Sequence, residues 1–393
     1  MPKRIAETAG MLWPNRSGTV ASVIKAAKRM QDSGVVDGVI VSDQTTHLTP
    51  PFMWNTTNAP MADIVPDLDS FDDAFITGTI AAVATPGMTL TISSDSIRRN
   101  PVELTQTMMT LAKVTQGRAM FHIGAGEVKQ CRPFGHKRAQ GTDRLEDLAR
   151  IFNALWDATG PIDLESKYTT LRQAYLGAAR PHRPQLWALG GGERLMDIAT
   201  SYCDGVSVST PCVWPTPEHA ADAIAKLKKD LERKGRDPEK FGIGIYGSVL
   251  CHDDDNEMDR LLDNELVRWW AAMFGRIQSQ QWREEGFESP IPDGWAYFAK
   301  LLPYEAEPAF VKEVLAKTTR AITEAAYHYG TPQQVGDEMA AYADAGVTWI
   351  MPCDWTPSLL TPQDAKRAVG RTIEMCARVK GKDLADVESD NAH

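Results

Sequence analysis

Four short stretches hold the residue types that move protons, bind anions or let a backbone approach a flat ligand. The first is Ser42-Asp43-Gln44-Thr45-Thr46-His47. Asp43 offers a carboxylate. Gln44 can orient a carbonyl but cannot exchange a proton near neutral pH, whereas the imidazole of His47 can. The second is Thr91-Ile92-Ser93-Ser94, and the third is Gly124-Ala125-Gly126-Glu127. Glycines bring backbone N–H groups close to a ring or a polar tail. Glu127 can serve as a proton donor if burial raises its pKa toward neutrality. The fourth, Leu189-Gly190-Gly191-Gly192, runs into a predicted helix, where free N–H groups suit a phosphate. A basic run of Lys129, Arg132, His136, Lys137 and Arg138 follows Glu127 and suits an anionic tail. Thr210, Cys212 and Trp214 are candidates to line a substrate side; Cys212 has no nearby His and is not read as a nucleophile. Each feature also has a plain structural reading. Asp43 can brace a loop, His47 can be solvated, Glu127 can pair with Lys129 or Arg132, and the basic run can be a solvated loop.

The candidate stretches follow strand-like runs. Apolar runs at 6–13, 35–41, 88–93, 119–123, 185–189, 205–209, 241–250 and 347–351 alternate with amphipathic segments. Asn100-Pro101 with Glu103 starts one helix, and Thr331-Pro332-Gln333-Gln334 starts another as a capping box. Residues 48–69 read as a long loop, and the chain beyond Gly160 as irregular. Eight alternating strands predict an α/β protein, a closed (β/α)8 TIM barrel forming one domain over 1–393. No GxGxxG opens the first helix, which argues against a dinucleotide-binding fold. Residues 253–321 read as a helical, aromatic-rich insertion between strands 7 and 8, carrying Trp269, Trp270, Phe274, Trp282 and Tyr297 over the barrel mouth.

The formal charge of −10 over 393 residues argues against nucleic acid as a partner. No apolar run approaches a membrane span, so no membrane insertion is expected. Met-Pro-Lys-Arg at the start lacks the apolar core of a signal peptide. The six cysteines form no CxxC pair, so neither a metal site nor a disulfide framework is expected, and a cytoplasmic setting fits.

Taken in order, these fragments resemble the luciferase-like monooxygenase superfamily on its coenzyme F420-dependent (deazaflavin) oxidoreductase branch. The likeness runs through Gly38 to Asp43, Arg99-Asn100-Pro101, Gly117-Arg118, Gly124 to Glu127, Pro133-Phe134-Gly135, Leu186 to Gly192 and Gly330-Thr331-Pro332. Cys131, His136-Lys137-Arg138 and His182-Arg183-Pro184 add a resemblance to the mycobacterial phthiodiolone ketoreductase group. The resemblance implies a homodimer that binds coenzyme F420 at the carboxyl-terminal mouth of the barrel and transfers hydride between it and a carbonyl or alcohol; the aromatics above the mouth suit a bulky apolar small-molecule substrate. It implies Asp43, Gln44 and Glu127 as catalytic residues, and His47, three residues beyond Gln44, is the candidate to serve as proton donor instead. The cofactor would contact Asp43, Thr91, Ile92, Ser94, Gly124, Ala125, Gly126, Glu127, Leu189, Gly190, Gly191 and Gly192. A non-proline cis peptide at Thr91-Ile92 is also implied. Gln44 stands where related dehydrogenases carry a catalytic His. The alternatives are an FMN-dependent monooxygenase and a non-catalytic cofactor-binding homologue.

Overall fold

The computed structural model describes residues 6–383; residues 1–4, weighed above as a leader, lie outside them. Eight parallel strands form the core: β1 Glu7–Leu12, β2 Gly38–Ser42, β3 Thr89–Asp95, β4 Ala119–Gly124, β5 Gln185–Leu189, β6 Gly205–Thr210, β7 Gly242–Cys251 and β8 Trp349–Asp354. Neighbours in sequence pair in register, β6 pairs with β7, and β8 pairs with both β7 and β1, so the sheet closes into a (β/α)8 barrel.

Alternation along each strand sets the two faces. Ala9, Ile40, Met120, Trp187, Trp349 and Met351 fill the interior. Val39, Val41, Leu90, Ile92, Phe121 and Ile123 join the core beneath the helices. Trp187 fills the barrel floor so closely that a Cβ on Gly242 would lie 2.0 Å from its ring, which explains the glycine in β7. His122 stacks on Trp187 with centroids 5.0 Å apart, and its Nδ1 lies 2.6 Å from the Tyr246 hydroxyl. Full burial pushes the His122 pKa down to about 3, because the interior disfavours the cation.

Three features differ from the sequence reading. The segment beyond Gly160 contains an antiparallel hairpin, Ile162–Glu165 with Thr170–Ala174, packed on Ile151 and Leu155. Its strands are short and mostly exposed, so they carry little alternation. A further short strand, His328–Gly330, pairs with β7 beyond the end of β6. The Thr91-Ile92 bond is trans; the cis bond found among the described residues is Thr210-Pro211. Thr91 and Ile92 lie in register with Ile40 and Val41 on one side and with Met120 and Phe121 on the other, and that double ladder needs an extended chain.

Between β7 and β8 lie the helices Asp255–Asp263, Glu265–Phe274, Ser279–Glu284, Tyr297–Lys300, Pro308–Lys317 and Arg320–Ala325. They build a second core around Trp269, Trp270 and Trp282. The loop after β2 is part of it. Trp269 Nε1 donates to the Leu48 carbonyl at 3.0 Å, and Trp270 Nε1 to Thr49 Oγ1 at 2.8 Å. The insertion therefore sits at the carboxyl end of the barrel, locked to the loop that carries Asp43 and His47.

Candidate active site at the barrel mouth

Register brings the polar strand ends together. Ser42 pairs with Ser93, Ser94 with Ile123, Asp95 with Gly124, and Gly124 with Leu189. The four stretches thus leave four adjacent strands, β2 to β5, along one arc of the mouth.

Asp43 is buried and held by several donors. Ser94 Oγ donates to its Oδ2 at 2.5 Å, Arg98 Nη2 is 3.2 Å from that oxygen, and Arg99 Nε is 3.3 Å away. Arg98 also pairs with Asp95 and donates to the Asp43 carbonyl. Arg99 pairs with Asp73 at 2.9 Å and lies 4.1 Å over the Phe75 ring. Asp43 is therefore a saturated anion that fixes the β2 and β3 loops. Sequence reasoning gave neither arginine a role in the site, although Arg99 stands in the Arg99-Asn100-Pro101 fragment that carries the family likeness. Gln44 is half-buried, and its side chain makes no hydrogen bond among the described residues.

His47 is buried rather than solvated. Its Nδ1 lies 2.8 Å from Thr49 Oγ1, and its ring stands edge-on to Trp270 and Trp355 at 5.7 and 5.9 Å. Burial, with the Lys129 charge adding to it, pushes its pKa down to about 3, so the imidazole is neutral at physiological pH. A neutral imidazole can still donate or accept one hydrogen bond.

Glu127 starts the short helix Val128–Cys131. Its Oε2 is 2.7 Å from the ammonium of Lys129, which also donates to the Thr46 carbonyl at 2.7 Å. Gln130 Oε1 accepts from the Thr45 amide at 2.7 Å. This helix clamps the β2 loop to the β4 loop. The Tyr297 phenol, from the insertion, lies beside Glu127. Its pKa is raised well above the usual value, chiefly by burial and further by that carboxylate.

An aromatic cluster joins the loops after β1 and β8 to the insertion after β7. The Trp355 ring centroid is 5.2 Å from Trp270 and 6.1 Å from both Phe274 and Trp13, and Phe274 is 5.7 Å from Tyr297. Trp355 Nε1 is buried without a partner, an unused donor in an apolar setting.

Other predicted residues lie away from the mouth. Ile92 points outward into the core beneath the helices, and Trp214 packs in that same core. Thr91 is inward-facing and fully buried, with its hydroxyl unpartnered. Thr210 Oγ1 lies 3.1 Å from His328 Nε2, and Glu338 lies 2.7 Å from Nδ1. That set has the order of a hydrolytic triad, but Thr210 is wholly buried, so it braces the end of β6. Cys212 is buried and its thiol is pushed up to about 12, which makes it unreactive.

The glycine turn after β5 suits a phosphate. Gly190 has φ 141°, which disfavours residues with a side chain. Gly192 caps the helix Glu193–Tyr202 without a side-chain acceptor, and a Cβ there would meet nothing within 4 Å. The first N–H groups of that helix thus lack a side-chain cap. Together with the Gly124-Ala125-Gly126 backbone, these residues fit a cofactor with a flat ring and a phosphate.

The closed barrel, with polar and glycine-rich strand ends gathered at its carboxyl-terminal mouth, has the architecture of a (β/α)8 enzyme. The chain belongs to the luciferase-like monooxygenase family, which it matches over residues 13–348, and it is an oxidoreductase. It is 25% identical over 375 residues to the phthiodiolone/phenolphthiodiolone dimycocerosates ketoreductase of Mycobacterium kansasii, covering 94% of this chain and 97% of that one. The enzyme of that name from Mycobacterium tuberculosis is 24% identical, with 86% of each chain covered. Among solved structures, an F420-dependent secondary alcohol dehydrogenase shares the fold with a TM-score of 0.69, 17% identity, and coverage of 95% of this chain and 99% of that one. A long-chain alkane monooxygenase shares it with a TM-score of 0.65, 14% identity, and coverage of 98% and 93%. No helix among the described residues is long and apolar enough to cross a membrane.

Proposed function

We propose that this protein is a coenzyme F420-dependent ketoreductase acting on a bulky, apolar carbonyl substrate. The observation that carries the reading is the division of the mouth. Polar and glycine-rich strand ends from β2 to β5 form one arc, and Trp13, Phe274 and Trp355, backed by the buried Trp270, form the apolar remainder. The first arc suits a planar cofactor with a phosphate, and the second an apolar substrate. The ketoreductase names of the mycobacterial relatives support the reaction class. The alcohol dehydrogenase neighbour supports the choice of cofactor.

When bound, the deazaflavin supplies the hydride. The chain must then orient the carbonyl and provide a proton to the oxygen. Gln44, with a free amide beside the saturated Asp43, orients the carbonyl. The neutral His47 and the Trp355 N–H are further donors on the substrate side. The Glu127–Lys129 pair, with the Tyr297 phenol beside it, is the proton-relay group: the carboxylate passes a proton to the oxygen and the ammonium replaces it. Asp43 acts through position: Arg98, Arg99 and Ser94 hold it, and it holds the loop. A cytoplasmic homodimer is the setting this reading expects.

The test is anaerobic oxidation of reduced F420 by a panel of ketones graded in chain length. Turnover that rises with apolar bulk supports the reading. Oxygen-dependent oxidation of reduced FMN, with no ketone turnover, would place the protein among the flavin monooxygenases instead.

A further inference from the structure

Among the described residues, Arg138 is a cation without an ion-pair partner. It lies where the β4 loop meets the insertion, beside Glu127, Tyr297, Asp95 and Cys131. Its guanidinium makes no hydrogen bond or ion pair among the described residues, and its Nε is buried without a partner. The guanidinium lies over the face of Phe298, 5.3 Å from the ring centroid. The two nearby carboxylates are already engaged: Glu127 pairs with Lys129, and Asp95 with Arg98. Desolvation lowers the Arg138 pKa despite those acids, as expected for a buried cation that they do not satisfy. Arg132, in the same basic run, differs: it is exposed and lies 3.8 Å from Glu305.

A guanidinium presents planar, paired donors that match the oxygens of a phosphate or carboxylate, and leaving them unmade in a partly buried site is costly. The Phe298 ring holds the plane in place without using any of those donors. We propose that Arg138 is an anion-binding side chain of the mouth that pairs with a phosphate or carboxylate oxygen of the bound ligand. The inference rests on the cofactor reading above for the identity of that ligand. The anion is carried by the cofactor, as its phosphodiester, or by the substrate, as an acid group.

The experiment compares wild type, Arg138→Gln and Arg138→Lys. Each is titrated, by tryptophan fluorescence, with F420 and with the deazaflavin riboside that lacks phosphate and tail. Reduction of a carboxylate-bearing ketone and its neutral ester is measured in parallel. The expected result is that R138Q binds F420 roughly tenfold or more weakly, binds the riboside unchanged, and is partly rescued in R138K. Unchanged F420 affinity with a raised KM for the acid alone assigns the anion to the substrate and also supports the proposal. Equal behaviour of wild type and R138Q toward every ligand overturns it. FMN and riboflavin are titrated as a second pair. If wild type prefers FMN, the F420 reading fails while the Arg138 comparison is still read on that pair.

Discussion

The Oε2 atom of Glu127 lies 2.7 Å from the Lys129 ammonium, inside a loop junction where that ammonium also holds the Thr46 carbonyl. One buried lysine thus ties the acid of the β4 loop to the loop that carries Asp43, Gln44 and His47. The proposed proton source and the proposed carbonyl-orienting groups are held as one unit, with the Tyr297 phenol of the insertion placed against it.

Replacing Glu127 by Gln keeps the shape and removes the carboxylate that pairs with Lys129. Turnover with a ketone should fall roughly hundredfold or more, while F420 affinity stays within about twofold of wild type. Steady-state kinetics and a binding titration check this. Unchanged turnover would move the proton source to Tyr297 or to water.

Gly192→Ala separates binding from folding. Its φ of −79° is ordinary, and the added methyl meets nothing within 4 Å, so the melting temperature should stay within about 3 °C of wild type. The methyl projects beside the free N–H groups of the helix, so affinity for a phosphate-bearing cofactor should fall roughly tenfold. Equal affinity would show that the phosphate sits elsewhere.

The aromatic cluster should act on substrate size. Phe274 is half-buried between Trp355 and Tyr297, so Phe274→Ala opens the cluster on the insertion side. The KM for a long-chain ketone should rise roughly tenfold, with little change for a small one. An equal effect on both would make Phe274 a packing residue only.

Stability should depend on pH through two opposed sets of buried groups. His47 and His122 have folded pKa values of about 3, below the unfolded value of 6.5. The unfolded chain therefore binds more protons below pH 6.5, and each histidine should cost about 2 kcal/mol of stability by pH 5. Asp354 runs the other way. Burial, with one carboxylate oxygen unpartnered, raises its pKa from 3.8 to about 6. Its contribution is fully present below pH 3.8 and is lost as pH rises through 6, so Asp354→Asn should stabilise the protein at pH 7.5 by about 3 kcal/mol at most. Denaturant titrations at pH 5, 6 and 7.5 check both slopes; an Asp354→Asn variant that keeps the wild-type slope would contradict the second.

The fold was readable because short strand-like runs alternate with amphipathic segments, and several of the helices open on a recognisable cap, as at Asn100-Pro101 and Thr331-Pro332. The arc of the site was readable because glycine and polar residues mark the strand ends. What failed to show was long-range pairing. Nothing local ties Asp43 to Arg98, and nothing near Thr46 announces Lys129. His47 looked solvated because its burial comes from Trp270 in the insertion and from Trp355 after β8. Trp355 carried no mark in the sequence beyond its place after the last strand. The Thr91-Ile92 expectation failed because both residues lie within a ladder paired on two sides.

The most direct test of the central claim is a side-by-side titration of the purified protein with F420 and FMN, followed by tryptophan fluorescence. Trp13 and Trp355 follow β1 and β8 at the mouth, so binding there should quench the signal. The proposed function predicts saturable, tight binding of F420 and weak binding of FMN. Tight binding of FMN with none of F420 would contradict it.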